Sequence, residues 1–244
     1  MTWIKICGIT NLEDALTAVD AGADALGFVF YEKSPRKIDP QTAREIVAKL
    51  PPNVEKVGVF VDGSGFRPVD IVRQVGLTAI QNSLGLLPSR ASAPQMVVAF
   101  AGFPRPPKLY LSFPIAWFFE GAQKIKGLAE SFSHLRRDIA GRQAVPEGCF
   151  DTFFLDSATL QHPGGTGRVF DWEKAVSVAE GMQERGFKLV VAGGLTPENV
   201  GEAIHILKPW GVDVSSGVEA KPGKKHPDKV RGFVQAVRSA DKPA

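Results

Sequence analysis

The chain is poor in the residues that special chemistry or special surroundings require. Two cysteines in 244 residues, Cys7 and Cys149, make no disulfide framework, and a chain of this length can bury roughly 70–75% of its unfolded surface without one. The four histidines, at 134, 162, 205 and 226, stand apart from each other and from both cysteines, so no metal-ligand spacing is present. No apolar run approaches the roughly 20 residues of a membrane span. The opening Met1-Thr2-Trp3-Ile4-Lys5 also lacks the basic-then-apolar layout of a signal peptide. A cytoplasmic location away from membranes is expected. Charge of one sign is missing too: 29 basic and 26 acidic residues leave +3, too balanced for a nucleic-acid binder but suited to a small anionic substrate. There is no complete dinucleotide fingerprint, no P-loop lysine, no internal repeat and no low-complexity boundary. With 44% hydrophobic and 23% charged residues, disorder and coiled coils are excluded. Chemistry is expected from side chains alone, without metal or cofactor.

What is present is an alternation of short apolar runs with segments of helical period. Trp3–Cys7, Ala25–Phe30 and Val57–Val61 read as strands at the front of the chain, and Phe153–Asp156, Leu189–Ala192 and Val212–Val214 at the back. Such near-continuous apolar runs suit strands covered on both faces. Thr10 with Glu13 reads as a capping box for a helix that stops at Gly22. Asp39-Pro40 opens a second helix striped by Ala43, Ile46, Val47 and Leu50. Further helices are expected from about Trp172, after a Thr196-Pro197 cap, and around Val230, Phe233 and Val237. In the middle, Thr78–Gln81 and Leu109–Phe113 are the expected strands four and five. Asn82 to Pro107 between them is rich in Pro, Ser and Ala, shows no clean stripe, and is expected to be irregular. Eight βα units in this length fit one closed (β/α)₈ barrel spanning residues 1–244.

In such a barrel the loops after the strands form one mouth, where chemistry sits. Strand parity points Lys5 and Cys7 into the pore, with Ile4 and Ile6 towards the helices. Cys7 at the mouth is either a small buried hydrophobe or a reactive thiol whose pKa Lys5 lowers. Cys149 precedes strand six, lies near the opposite face and reads as structural. Asp156 ends strand six; it is either a cap or tie for its loop or an acid at the mouth, the latter favoured by the long loop Ser157 to Phe170 before the next helix. Gly193-Gly194 after strand seven and Ser215-Ser216-Gly217 after strand eight stand where barrels grip phosphate with backbone N–H groups. Arg36 after strand two is either a solvated loop cation or a fork for a substrate carboxylate. Gly164-Gly165-Thr166-Gly167 reads as a mobile lid. Closure makes strands one and eight neighbours, so Lys5 and Asp213 are expected to form a buried ion pair beneath Cys7.

Several motifs together carry a resemblance. They are Lys5-Ile6-Cys7-Gly8-Ile9-Thr10; Gly27-Phe28-Val29-Phe30 with Ser34-Pro35-Arg36; Gly164-Gly165-Thr166-Gly167 with Phe170-Asp171-Trp172; Ala192-Gly193-Gly194-Leu195; and Val212-Asp213-Val214-Ser215-Ser216-Gly217-Val218-Glu219. Over roughly residues 2–81 and 150–238 the chain resembles the phosphoribosylanthranilate isomerases of tryptophan biosynthesis. The resemblance implies a (β/α)₈ barrel, monomeric or homodimeric, that performs an Amadori rearrangement of a small phosphorylated substrate. It implies Cys7 as general base, Asp156 as general acid, Arg36 as ligand of the anthranilate carboxylate, and Gly193, Gly194, Ser216 and Gly217 as the phosphate cradle, with Gln81 also at the substrate. One departure stands out: where the family has Gln-Leu-His-Gly ending strand four, this chain has Gln81-Asn82-Ser83-Leu84-Gly85. Two other readings remain open, another sugar-phosphate enzyme on the same barrel and a barrel that binds a phosphorylated ligand without turning it over.

Overall fold

The computed structural model describes residues 1–61, 67–83, 103–119, 151–157 and 169–242. Eight parallel strands close into a barrel in sequence order: β1 Trp3–Cys7, β2 Ala25–Phe30, β3 Glu55–Val61, β4 Ala79–Ser83, β5 Lys108–Pro114, β6 Thr152–Asp156, β7 Lys188–Ala192 and β8 Gly211–Val214. Closure is made by β1 against β8, with Lys5 beside Asp213. Helices α1 Leu12–Ala21, α2 Pro40–Val47, α3 Pro68–Val75, α4 Ile115–Phe119, α5 Trp172–Gln183, α6 Val200–Leu207 and α7 Pro227–Ala240 lie between and after the strands.

Alternation along each strand sorts side chains into two layers. Ile4, Ile6, Leu26, Phe28, Phe30, Leu189, Val191 and Val212 join the core beneath the helices. The opposite parity fills the pore with Ala25, Val57, Ala79, Tyr110, Phe154 and Val190, against which Trp3 and Trp210 pack. The pore is therefore a packed interior, floored at the amino ends of the strands by stacked Trp3 and Trp210, whose rings lie 5.1 Å apart.

Three local expectations need correction. Helix α1 is capped by Asn11, whose side chain accepts from the Asp14 N–H at 2.9 Å; Thr10 instead donates its hydroxyl to the Gly223 carbonyl, a partner far along the chain that local spacing cannot reveal. Helix α6 begins at Val200. Thr196 and Asn199 form the turn before it, the Thr196 N–H donating to Asn199 Oδ1 at 2.8 Å. Asn82 and Ser83 are not the start of an irregular stretch, since they continue β4 and pair with Leu111 and Ser112. Backbone pairing on both sides extends β4 beyond its apolar residues. Residues 84–102, Cys149 and the Gly164–Gly167 lid lie outside the described residues; Phe103 packs back on the core and holds the Arg73 guanidinium 4.8 Å from its ring centroid.

Candidate active site

The carboxyl end of β1 places Cys7 at the pore, 8% exposed, directly above a fully buried Lys5. The Lys5 ammonium donates to Asp213 Oδ1 at 2.9 Å, so the expected ion pair is present. On its other side Nζ stands 5.4 Å from the Phe154 ring centroid, a cation–π contact across the pore. Burial would lower the Lys5 pKa, but the Asp213 carboxylate and the Cys7 sulfur hold it above its ordinary value.

For Cys7 the balance differs from the expectation. Lys5 does pull the thiol's pKa down, yet burial pushes harder and Asp213 adds to it, so the thiol ends above its ordinary 9.0. Removing a thiolate from water costs more here than one neighbouring ammonium, itself shared with Asp213, returns. Space for the sulfur comes from Gly27, its register partner on β2. A β-carbon at position 27 would lie 2.7 Å from Cys7 Sγ and 3.0 Å from Lys5 Cε.

Asp156 ends β6 on the pore side and is half-buried. The cap of α5 is Asp171, which accepts from the Lys174 N–H. Gly193 follows β7 with φ +85°, and a β-carbon there would stand 2.7 Å from Asp156 Oδ1. Asp156 and loop seven therefore share one corner of the mouth. Asn199 shapes that loop by donating its Nδ2 to the Gly194 carbonyl at 3.0 Å. Gly217, in the 3₁₀ turn Ser216–Val218, packs against the Leu195 carbonyl, so loops seven and eight touch where the cradle residues were expected.

Arg36 is largely buried, and one edge of its fork is already taken. Its Nε and Nη2 grip Glu219 at 2.9 and 2.8 Å. Glu219 also takes Lys225 Nζ at 3.1 Å. Although burial opposes it, these cations hold the Glu219 carboxyl below its ordinary pKa. Burial pulls Lys225 below its ordinary value, with Glu219 resisting. Gln81 lies buried on β4, and its Oε1 has no partner. Ser157 Oγ, Ser215 Oγ and Trp172 Nε1 are likewise buried and unpartnered; Ser157 and Ser215 directly follow β6 and β8, and Trp172 opens the helix after β6. Buried polar atoms are ordinarily paired, so their concentration at one end marks the face built to meet a polar ligand.

The family model for N-(5'-phosphoribosyl)anthranilate isomerase matches residues 4–82 and 128–236. The chain belongs to this isomerase family. The N-(5'-phosphoribosyl)anthranilate isomerase of Chlorobaculum parvum is 40% identical over 99% of this chain and 97% of its own length. The phosphoribosyl anthranilate isomerase of Thermotoga maritima, a solved structure, shares 34% identity, covers 98% of this chain with all of its own, and superposes with a TM-score of 0.73. Another solved isomerase holds reduced 1-(o-carboxyphenylamino)-1-deoxyribulose 5-phosphate; it is 33% identical, with a TM-score of 0.72 over 98% of this chain and all of its own.

Within the isomerase barrel, the sequence-predicted residues Cys7, Asp156, Gly193, Gly194, Ser216 and Gly217 lie at or just beyond strand ends on one face, whereas Gln81 lies within β4, two residues before its end. Missed were the roles of Gly27, Glu219 and Lys225. A glycine inside an apolar strand is a sign of close approach, so Gly27 was findable. A lysine buried to 1% carries no local signature that separates it from a solvated one.

Proposed function

We propose that this barrel isomerises N-(5'-phosphoribosyl)anthranilate to 1-(2-carboxyphenylamino)-1-deoxyribulose 5-phosphate in tryptophan biosynthesis, with Asp156 as acid and Cys7 as base. The observation that supports this assignment is that the two groups crown side chains already in contact, Lys5 below Cys7 and Phe154 below Asp156. Asp156 protonates the furanose ring oxygen; the C1'–O bond breaks and the anilino nitrogen's lone pair forms the iminium. Cys7 thiolate then takes the C2' proton, and the C2'–H electrons form the C1'=C2' bond while neutralising nitrogen. The enolamine tautomerises to the ketone.

Burial keeps the Cys7 thiol above its ordinary pKa, so the thiolate that does form is a stronger base than a free thiolate. Lys5, held charged by Asp213, stabilises that thiolate whenever it forms. The phosphate would lie against Gly193, Gly194, Ser216 and Gly217, where the unpartnered Ser157 and Ser215 hydroxyls flank the two loops. The anthranilate carboxylate would meet Arg36 on the edge that Glu219 leaves unused, and Gln81 would offer its unpartnered oxygen to the substrate. Freshly made phosphoribosylanthranilate, followed by loss of its fluorescence, tests the activity. An enzyme-dependent decay is expected, and a decay no faster than the uncatalysed one would overturn the reading. The reading of a barrel that only binds loses ground at β4, which remains paired through Ser83 despite its altered motif.

A further inference from the structure

Arg36, Glu219 and Lys225 form a buried chain of charges, of which the proposed reaction uses only Arg36. The Arg36 stem crosses Gly8, the residue after the base, so closely that a β-carbon there would come within 2.7 Å of Arg36 Cδ. Its guanidinium meets Glu219 through two parallel hydrogen bonds, and the paired side chains are 11% and 4% exposed. Lys225 lies behind Glu219, donating to Oε1 at 3.1 Å and to the Ser215 carbonyl at 3.1 Å.

The backbone around the chain is tied down as well. The Gly223 N–H donates to Glu219 Oε1, the Lys225 N–H to Asp14, and Lys224 pairs with Glu13 and Asp14 on α1. The short hairpin of β9 Glu219–Lys221 and β10 Lys224–Lys225 is thereby pinned beside the mouth.

The arithmetic of charge makes this arrangement informative. A buried Arg–Glu pair alone is neutral, and its carboxylate would repel a second carboxylate brought to the same guanidinium. With Lys225 included, two cations face one anion, and the cluster keeps a net positive charge. Glu219 uses one edge of the fork, Nε and Nη2, while Nη1 has no hydrogen bond among the described residues. A planar guanidinium clamped along one edge presents the other in a fixed direction.

We propose that Glu219 and Lys225 are positioning residues for recognition of the substrate's carboxylate: Glu219 orients Arg36, and Lys225 supplies the charge that keeps the clamped Arg36 attractive to an anion. This rests on the reading of Arg36 as the carboxylate's ligand. Lys225 does not touch the substrate; it acts through Glu219. Two further carboxylates are buried nearby and both are already engaged, Asp213 by Lys5 and Asp14 by Lys224 and the Lys225 N–H.

The test uses two stable product-like amines, 1-(2-carboxyphenylamino)-1-deoxyribitol 5-phosphate and its phenylamino counterpart lacking the carboxylate, with Kd measured by calorimetry on the full-length protein. Lys225→Met should weaken the carboxylated ligand by about 10–100-fold, as loss of a charge-assisted interaction does, and leave the other nearly unchanged. Lys225→Arg, which restores the charge, should recover most of the preference. Should Lys225→Met fail to fold, Lys225→Gln removes the charge while keeping an amide donor on a slightly shorter side chain. A purely structural lysine would weaken both ligands alike, and that result overturns the proposal. Arg36→Met measured beside it separates the two claims. If Arg36→Met abolishes the preference and neither uncharged Lys225 variant does, the role of Lys225 is wrong. If Arg36→Met leaves the preference intact, the carboxylate site itself is elsewhere and both claims fall.

Discussion

The two ends of the barrel are built from the same strands and follow opposite rules. At the amino ends of the strands, aromatic rings close the pore and polar groups are matched. Trp3 packs edge-on to Tyr110 at 6.0 Å, the Tyr110 hydroxyl donates to Glu55, and Lys188 is shared between Asp151 and the Trp210 ring. At the carboxyl ends glycines replace bulk, and all four buried, unpartnered side-chain atoms among the described residues gather there. One end is satisfied and holds the fold; the other is left unsatisfied and meets the ligand. Lys5 joins them, since its stem and charge are buried like a core residue while its ammonium lies under Cys7.

That division predicts which measurement each variant should move. The largest effects belong to the mouth: Cys7→Ala and Asp156→Asn should each lower kcat by about 10²–10⁴-fold, roughly 3–5 kcal/mol of barrier, with thermal unfolding near that of the parent. Near-normal turnover in either would remove that residue from its role. At the junction, Asp213→Ala leaves a buried ammonium without its carboxylate and should cost about 3–5 kcal/mol of stability. Urea unfolding measures this, and a fully stable variant would mean the pair is not what holds that level of the pore.

The third effect is a pH dependence. Because burial raises the Cys7 pKa, its thiolate fraction should grow about tenfold per pH unit from neutrality towards the ordinary thiol value of 9.0 without levelling. Iodoacetamide labelling of the Cys7 peptide, quantified by mass spectrometry, follows that fraction. A rate already flat at pH ~8 would show that Lys5 outweighs burial. The smallest effect lies at the closed end. Tyr110→Phe removes the hydrogen bond to Glu55 and should cost about 0.5–1.5 kcal/mol of stability while leaving kcat and KM unchanged; altered kinetics would break the separation of the two ends.

Much of this division was legible beforehand, for reasons specific to particular residues. Period-two alternation at Trp3–Cys7 and at Val212–Val214, combined with closure, was enough to pair Lys5 with Asp213 across 208 positions, because a barrel leaves β1 no other neighbour on that side. The strand-end positions of Asp156 and Gly193 followed from the same rule, and their shared corner at the mouth agrees with it. The cap at Asn11 was misread because Thr10 and Asn11 are both good caps, and the choice was made by Gly223, which draws the Thr10 hydroxyl away. The carboxylate that already holds one edge of Arg36 could not be read beforehand, because Glu219 lies 183 positions on, in a short hairpin that has no apolar pattern to announce burial.

The sequence by itself pointed to the architecture, since eight apolar runs in 244 residues, most of them followed by a helical stripe, fit one closed barrel better than an open sheet. It also determined which residues stand at the mouth, since parity and strand ends are properties of the local pattern. The tertiary structure alone decided the electrostatics: whether Cys7 is eased or burdened by its surroundings, which carboxylate Arg36 holds, and that Lys225 is buried at all. Those depend on desolvation and on contacts between segments far apart in the chain. Both are set by how deeply a charge is taken from water and by what the closed barrel brings beside it.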